Sequence, residues 1–341
     1  MVIAAADGDL QGVVAIGASA GGVEALSNLA AGLSPDVPFA YLMVLHVPAG
    51  APSILARIID RSGPLPASAA QDGAPLQPGH IHVGVPDRHL LVDGAQVLLS
   101  QGPTENGHRP AINALFRSVA LTFGPRGATG VLLSGVLDDG VLGMAAIRSR
   151  GGVTVCQSPD EALFPAMPTN ALDAGVVDRQ AGAADIGAAD IGAVLKELAH
   201  REIEDPDMQR DPGMELENRI AMMSRFATDF DTEKLGPPSG YTCPDCNGSL
   251  VSLSEGNYRC RVGHAWTAEA LLSARDNELE GALWVAVRSL QEKAWLTRDL
   301  AGKAGPGLLS RRYTQIAEES ERALHVLSHR LAGAAAEGET R

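Results

Sequence analysis

A glycine-rich turn near the amino terminus presents a serine whose hydroxyl could act as a nucleophile. The apolar run Val13–Ile16 leads into Gly-Ala-Ser-Ala-Gly-Gly at positions 17–22, and a helical pattern follows. A serine at such a strand-to-helix turn has an exposed hydroxyl, and G-x-S-x-G is the spelling of the nucleophile elbow in acyl-transfer enzymes. Glycine-rich turns also bind phosphates and dinucleotides. Here Ser19 replaces the second glycine of the dinucleotide fingerprint, and the Gly-Lys-Ser/Thr ending of a phosphate loop is missing.

A histidine and an aspartate that could complete this chemistry follow two other predicted strands. His46 stands at the end of the apolar run 39–47, and Asp139 follows the run 129–134. Because the carboxyl ends of parallel strands line one crevice, Ser19, His46 and Asp139 are predicted to converge there. The imidazole would take the hydroxyl proton and later protonate the leaving group, while the carboxylate orients the imidazole. The chain order Ser-His-Asp differs from the Ser-Asp-His order of α/β-hydrolases and disfavours that fold.

A second group of residues has the spacing of a metal site. Two residues separate Cys243 from Cys246, and thirteen residues later Cys260 begins a short segment that ends at His264. This pattern matches a zinc ribbon with Cys3His ligation. Because four protein ligands leave no open position, we interpret one zinc ion here as structural. Iron is the weaker alternative, since the histidine favours zinc, and buried cysteines beside an unrelated histidine are the interpretation without a metal.

Composition and charge exclude several classes of function. The chain has 341 residues, 45% of them hydrophobic, and a net charge of −14, which suits about two globular domains. The acidic balance argues against nucleic acid and anionic membranes as partners. No apolar run reaches the ~18 residues of a membrane span, and the amino terminus lacks the basic start of a secretory signal. With Cys156 as a lone buried thiol rather than part of a disulfide framework, we expect a cytoplasmic protein without membrane insertion.

The composition changes along the chain and indicates successive segments. We expect an α/β domain over residues 12–200, an acidic linker with a short helix (Met214 to Phe226) over 201–238, a zinc ribbon over 239–275 and a helical hairpin over 276–333. The apolar stripes of the two hairpin helices serve either to pack against the rest of the chain or to dock a partner or a second copy.

The charges of the ribbon are balanced. Its three arginines are matched by three acidic residues, so it lacks the basic excess of a nucleic-acid reader. The six residues are Arg259, Arg261, Arg275, Asp245, Glu255 and Glu269.

Six segments within residues 12–200 occur together and in a characteristic order. They are VVAIGASAGGVEAL, VLHVP, AQDGAPLQPGHIHVGVPDRHLLV, GHRPAINALF, LLSGVLDDGVLG and RSRGGVTVCQSPDEALFPAMPTNAL. In this order they resemble the catalytic domain of the CheB-type chemotaxis-receptor methylesterases. The resemblance implies a doubly wound, mostly parallel, Rossmann-like α/β domain that hydrolyses glutamate γ-methyl esters on methyl-accepting chemoreceptors, and many members also deamidate receptor glutamines. By motif position it implies Ser19 as nucleophile, His46 as general base and Asp139 as orienting carboxylate, with no cofactor for catalysis.

Each of these three residues also has a purely structural interpretation. A serine in a glycine turn is usually a helix N-cap, and an Asp-Asp-Gly sequence between a strand and a helix is usually a turn with a cap. A histidine that ends a strand is usually a packing residue. Singly, each residue favours its structural interpretation, whereas the three together, in the order of the family, favour the catalytic one.

The chain departs from the family pattern in front of the aspartate. The family's Gly-Met-Gly reads Gly135-Val136-Leu137 here, and Ala20 follows the serine. We expect the backbone N–H groups of Ala20 and Val136 to form the oxyanion hole, since a backbone donor survives a side-chain change. If position 137 requires a positive φ, leucine costs about 1–2 kcal/mol there and could displace Asp139. Leu137 therefore supports an alternative hypothesis, a catalytically silent binding module on the same fold; a third is an esterase or deamidase outside chemotaxis.

Many members of the family that the chain resembles carry an amino-terminal receiver domain; with only about ten residues before the first predicted strand, we expect no control by that route within this chain. We therefore expect the ribbon and the helical hairpin to regulate or target the enzyme. They would do so through a regulatory partner or through self-association of the carboxy-terminal helices.

Overall fold

The computed structural model describes residues 10–182, 190–200, 211–224 and 236–338, with only the backbone at Arg126 and from residue 330 onward. Residues 201–210 and 225–235 of the predicted linker, including Phe226, lie outside the described residues. The described chain divides between Ala270 and Leu271 into two compact units, which we call the amino-terminal and the carboxy-terminal unit.

A seven-stranded parallel sheet forms the centre of the amino-terminal unit. The strands of this part of the chain are β1 (Gly12–Ala18), β2 (Phe39–Leu45), β3 (Ala67–Ala69), β4 (Ile81–Val83), β5 (His89–Asp93), β6 (Gln96–Ser100), β7 (Ala128–Leu132), β8 (Val153–Gln157) and β9 (Arg179–Ala181). The sheet has the order β3-β4-β2-β1-β7-β8-β9, and β5 and β6 form a separate antiparallel hairpin. Every residue of β1 and β2 is buried, which explains why both read as uninterrupted apolar runs.

Helices cover both faces of this sheet. They are α1 (Gly22–Gly32), α2 (Leu55–Ser62), α3 (Ile112–Phe123), α4 (Val141–Ser149), α5 (Ala166–Asp173) and α6 (Ile191–Leu198), with a 3-10 turn at Gly124–Arg126. The buried side chains of α1, α2 and α6 belong to one hydrophobic core, and those of α3, α4 and α5 belong to a second core shared with the β5–β6 hairpin. The doubly wound α/β fold predicted from the sequence is confirmed.

The order of strands brings the predicted chemistry to one edge of the sheet. β1 lies between β2 and β7, with Ala18 beside Leu45 and Gly17 beside Leu132. The chain turns to opposite sides of β1 on its way to these two neighbours, which makes this position a topological switch point, where open α/β sheets bind ligands. The loops that follow β1, β2 and β7 therefore begin side by side.

The predicted ribbon belongs to the same compact unit as the parallel sheet. A helix, α7 (Pro212–Met222), precedes it, where the sequence predicts one from Met214. The ribbon is an antiparallel sheet of β10 (Pro238–Thr242), β11 (Ser249–Ser254), β12 (Asn257–Cys260) and β13 (Ala265–Thr267). The helix α8 (Ala268–Lys303) starts directly after β13, so the boundary expected at residue 275 lies inside a helix.

Buried charges join the ribbon to the sheet domain. Arg259 is 1% exposed and lies 3.6 Å from Glu105 and 3.8 Å from Glu217, neither of which belongs to the ribbon. Arg117 on α3 contacts the same two carboxylates, at 2.5 Å and 3.3 Å. Burial alone would raise the pKa of Glu105, but the charges of the two arginines hold that pKa below its ordinary value. The charge balance of the ribbon stated above concerned its net charge alone, and these contacts show that Arg259 is neutralised by carboxylates from outside the ribbon.

The carboxy-terminal unit is a pair of antiparallel helices, the rest of α8 and α9 (Leu308–Gly338). Their direction follows from two contacts: Arg298 pairs with Glu321 at 2.8 Å, and the hydroxyl of Ser310 donates to the carbonyl of Ala301 at 2.9 Å. Small residues are buried where the helices meet, namely Ala294, Thr297, Ala317 and Ser320.

Among the described helices, none combines the length and the apolar character that a membrane crossing requires.

We predict that Arg259→Ala strongly destabilises the amino-terminal unit. The substitution leaves Glu105 buried with half of its countercharge, and breaking a buried ion pair costs about 3–5 kcal/mol. Urea denaturation measures the loss of unfolding free energy. The matched control is Arg179→Ala, which breaks an exposed pair with Glu197 and should cost less than about 1 kcal/mol. Equal effects of the two substitutions would contradict the prediction.

Candidate active site and metal group

Ser19 lies in a tight turn between β1 and α1. Its N–H donates to the carbonyl of Ser134 at 2.9 Å, and its own carbonyl accepts from the N–H of Gly22 at 2.9 Å. Gly21 has a φ of 71°, and a Cβ there would lie 2.8 Å from the hydroxyl oxygen of Ser134. Glycine is the residue that fits this position. The glycine-rich sequence therefore allows the turn to place the serine against the loop after β7.

His46 connects the serine to the aspartate. Its Nδ1 lies 3.1 Å from Oγ of Ser19, and its Nε2 lies 2.7 Å from Oδ2 of Asp139. An ionised carboxylate can only accept, so Nε2 carries the proton and Nδ1 offers its lone pair to the serine hydroxyl. The structure thus brings together the three side chains that the sequence analysis predicted to converge.

Asp139 is buried, 3% exposed, at the amino-terminal end of α3. Its oxygens accept the N–H of Ile112 at 2.7 Å and that of Asn113 at 3.2 Å, in addition to the imidazole. Burial by itself would raise the pKa of Asp139, but the hydrogen bond and charge of His46 and the backbone donor at Ile112 hold it below the ordinary value. The carboxylate is therefore ionised at neutral pH and orients the histidine.

A second histidine stacks on His46. The ring of His108 lies 3.8 Å from that of His46, centroid to centroid, with an angle of 8° between the planes. Burial, together with the neighbouring His46, lowers the pKa of His108 to about 4, although the charge of Asp139 opposes the change. A neutral imidazole at pH 7 thus covers one face of His46 and limits its rotation. The sequence analysis did not single out His108, which stands in the GHRPAINALF segment quoted for the resemblance.

Two amide side chains hold the loop that carries the aspartate. Oδ1 of Asn113 accepts the N–H groups of Gly140 and Gly143 at 2.9 Å and 2.8 Å, and Nδ2 of Asn170 donates to the carbonyl of Leu137 at 2.9 Å. Sequence reasoning missed both residues, because an asparagine within a helix pattern gives no signal of a contact with a distant loop.

Leu137 has a φ of 60°. This value lies in the left-handed region, where the sequence predicts a steric cost for leucine. The strained conformation has not displaced the aspartate, which keeps its contacts with the histidine and with α3. The neighbouring Asp138 is largely buried, and burial raises its pKa to about 6, although a hydrogen bond from Thr267 opposes that change.

The four predicted metal ligands lie together in the ribbon. Sγ of Cys246 and Cys260 are 3.7 Å apart, and Nδ1 of His264 is 3.6 Å from Sγ of Cys243 and 3.5 Å from Sγ of Cys260. Tetrahedral zinc with Zn–S of about 2.3 Å and Zn–N of about 2.1 Å would separate two sulfurs by about 3.8 Å and a sulfur and a nitrogen by about 3.6 Å. The donor set therefore fits one tetrahedral zinc ion without rearrangement.

We predict that Leu137→Gly gives a more stable protein than Leu137→Ala, by about 1 kcal/mol. Both substitutions remove the same side-chain contacts, so their difference isolates the cost of a Cβ at positive φ. Urea denaturation of the two variants measures it. At Leu142, an exposed residue in the first turn of α4, the order should be reversed, because alanine is the better helix former. An alanine variant as stable as the glycine variant at 137 would contradict the argument.

Comparisons with known proteins identify the family to which the sheet domain belongs. Residues 14–189, more than half of the chain, match the family model described as CheB methylesterase. The relatives include the protein-glutamate methylesterase/protein-glutamine glutaminase 3 of Anaeromyxobacter dehalogenans (strain 2CP-C), 42% identical over 168 residues, which are 49% of this chain and 49% of that protein. They also include a protein-glutamate methylesterase/protein-glutamine glutaminase 4 of Geobacter metallireducens, 39% identical over 48% of this chain and 47% of that protein.

The chain spans about half the length of the curated relatives it matches. Among solved structures, the CheB methylesterase catalytic domain of Thermotoga maritima is similar to it, with a TM-score of 0.49, 24% sequence identity, and coverage of 55% of this chain and 97% of that one. The resemblance that the six sequence segments indicated is confirmed. Because the family match covers more than half of the chain and includes every residue gathered around Ser19, the chain belongs to the CheB methylesterase family.

Proposed function

We propose that the chain hydrolyses glutamate γ-methyl esters on methyl-accepting chemoreceptors, in chemotaxis signalling in the cytoplasm. The observation that carries the proposal is His46, with one ring nitrogen on the hydroxyl of Ser19 and the other on the buried carboxylate of Asp139. The names of the relatives give the substrate class, protein glutamate esters, and a second activity on protein glutamine. We include deamidation of receptor glutamines as that second activity.

The proposed reaction has two steps. Ser19 Oγ attacks the ester carbonyl while Nδ1 of His46 takes the hydroxyl proton; the tetrahedral intermediate then collapses, and the methoxy group leaves as methanol with that proton. Water attacks the resulting γ-acyl ester of Ser19, again with His46 as base, and the proton returns to Oγ as the glutamate carboxylate is released. Asp139 stays ionised throughout and stabilises the imidazolium.

The oxyanion hole is proposed to consist of the backbone N–H groups of Ala20 and Val136. Within the described part of the chain, neither N–H has a backbone acceptor, whereas the N–H groups of Ser19, Gly22 and Gly135 are all committed. Both free groups belong to the two loops that meet at the serine. Such donors would stabilise the negative oxygen of each tetrahedral intermediate.

The catalytically silent module is the weaker hypothesis. Leu137 motivates it, but that residue's strained backbone coexists with a contact of 2.7 Å between His46 and Asp139. An esterase or deamidase outside chemotaxis would use the same residues and differ only in its protein substrate.

The metal group is proposed to hold one structural zinc ion, with Cys243, Cys246, Cys260 and His264 as its ligands. Zinc bound by four protein groups stabilises the fold and leaves no open coordination position for substrate. The proposed chemistry needs no cofactor. The exposed tryptophans of the carboxy-terminal unit, Trp284 and Trp295, support a proposed role of α8 and α9 in binding a regulatory partner or a second copy.

We predict that the full chain releases methanol from a methylated chemoreceptor fragment and that Ser19→Ala abolishes the release. The substitution removes the nucleophile, so the loss should be at least about a thousandfold. The matched control is Ser27→Ala, which removes an exposed hydroxyl bonded only within α1 and should leave the rate unchanged. Methanol release that persists in Ser19→Ala would contradict the assignment, and ammonia release from a glutamine-bearing fragment measures the second activity.

We predict one zinc ion per chain and its loss in Cys246→Ser. Serine is a poor ligand for zinc at neutral pH, and three remaining ligands bind far more weakly. Mass spectrometry of the metal content of the purified protein measures the stoichiometry. Cys156→Ala is the control, since that cysteine is buried in β8 and lies outside the metal group. The Cys156→Ala protein should retain its zinc ion. Iron in place of zinc, or equal metal in Cys246→Ser, would refute the assignment.

A further inference from the structure

The last strand of the ribbon, β13, packs against the loop that carries His108. The N–H of Ala265 donates to the carbonyl of Thr104 at 3.1 Å, and the carbonyl of Ala265 accepts the N–H of Asn106 at 2.8 Å. The side chain of Asn106 accepts the N–H of Thr267 at 2.9 Å. This pairing extends the ribbon sheet into residues 104–106, which lie directly before the histidine stacked on His46.

The same strand also contacts the loop that carries Asp139. The hydroxyl of Thr267 donates to Oδ1 of Asp138 at 2.7 Å and accepts the N–H of Ala270 at 3.2 Å, so it caps α8 and binds the loop at once. Thr267 is 5% exposed, which shields this hydrogen bond from competition by water.

A third contact reinforces the second. Nδ2 of Asn170 donates to the carbonyl of Leu137 and also lies 3.1 Å from a carboxylate oxygen of Glu269, two residues beyond Thr267. Both loops that fix the orientation of His46 are therefore bonded to one short stretch of chain.

The metal group sits at the start of that stretch. Two of its four members, Cys260 and His264, enclose the turn between β12 and β13, and His264 directly precedes Ala265. A metal ion that closes this turn restricts the position of β13. Without it, the turn is held by hydrogen bonds, from the N–H of Gly263 to the carbonyl of Cys260, from the N–H of Cys260 to the carbonyl of His264, and from the guanidinium of Arg259 to the carbonyl of Gly263.

We propose that the metal-bound ribbon is a brace for the active site and that Thr267 is the positioning residue through which it holds the Asp138–Asp139 loop. Ester hydrolysis then depends on a metal ion that takes no part in the reaction. This inference rests on the proposed esterase function and adds to it a dependence on the ribbon. A displacement of about 1 Å in a catalytic group can cost about a hundredfold in rate, so loss of the brace has a measurable effect.

The first test compares Thr267→Val with Thr267→Ser in the full zinc-loaded chain. Valine keeps the shape and removes the hydroxyl, whereas serine keeps the hydroxyl. We expect Thr267→Val to lower kcat about tenfold with KM within about twofold of wild type, because the loop acts on the reacting groups rather than on substrate binding. The acid limb of the pH profile of kcat should move to lower pH, since a displaced Asp139 stabilises the imidazolium less.

Thr267→Ser should restore both kcat and the pH profile. Ser252→Ala is the matched control in the same ribbon, because that hydroxyl is bonded only to the carbonyl of Ser254, and it should match wild type. A Thr267→Val variant that melts at a lower temperature but keeps the wild-type kcat and pH profile would show a purely structural threonine and overturn the proposal.

The second test removes the metal from the full chain with pyridine-2,6-dicarboxylate. Wild-type kcat should fall about tenfold and return with added zinc, while the already low kcat of Thr267→Val should fall by clearly less than tenfold, because part of the effect of metal removal acts through the contact that this variant lacks. A metal-free, folded wild type with full kcat would refute the proposal. If the metal-free chain unfolds, the Thr267 variants in zinc-loaded protein decide the question.

Hydrogen exchange separates failure of the brace from failure of the proposed function. The N–H groups of Gly140 and Gly143 are bonded to Asn113 and report on the loop without any ester substrate. They should exchange at least about threefold faster in Thr267→Val and in metal-free wild type, and at the wild-type rate in Thr267→Ser and Ser252→Ala. If the exchange rates change in this way but the wild type releases no methanol, the brace is supported and only the esterase assignment is refuted. Unchanged exchange in Thr267→Val would overturn the brace.

Discussion

A buried carboxylate, that of Asp139, is the constraint on which the active site depends. An ionised group away from water is costly unless polar partners surround it, and here the partners are the N–H groups of Ile112 and Asn113 and the imidazole of His46. These partners come from two different parts of the fold, the start of α3 and the end of β2. The hydrogen bonds to the carboxylate therefore fix the start of α3 and the end of β2 relative to the loop after β7. Because β1 lies between β2 and β7, Ser19 at its end lies next to the unprotonated nitrogen of the imidazole.

A second group of buried charges fixes the position of the ribbon on the sheet domain. Glu105 lies between Arg117 of the sheet domain and Arg259 of the ribbon. Separating the ribbon from the sheet domain would therefore leave a buried charge without its partner. The ribbon has few large buried apolar residues of its own, Leu250 and Trp266 among them. A segment of that size does not hold a fold on hydrophobic burial alone, so its stability depends on its contact with the sheet domain and, under the proposal above, on a bound zinc ion.

The positions of Ser19, His46 and Asp139 could be predicted because each follows an apolar strand, and the rules for parallel sheets bring such strand ends together. The metal group could be predicted because its ligands are close in sequence. The contacts of Arg259 with Glu105 and of Thr267 with Asp138 could not, since these partners lie more than a hundred residues away in sequence and no local pattern encodes which surface a ribbon contacts.

The proposed coupling between the metal ion and the candidate active site is reciprocal by thermodynamic necessity. If zinc at His264 favours the arrangement of the loop in which Asp138 accepts from Thr267, then whatever else favours that arrangement raises the affinity for zinc by the same factor. Under the proposed function, a bound substrate segment that orders the loop would be such an influence. The coupling needs no large movement, because β13 touches both loops directly and a small shift of one strand reaches His108 and Asp139 together. Under this proposal, a zinc ion that takes no part in the chemistry fixes the geometry of a serine, a histidine and an aspartate that it does not contact.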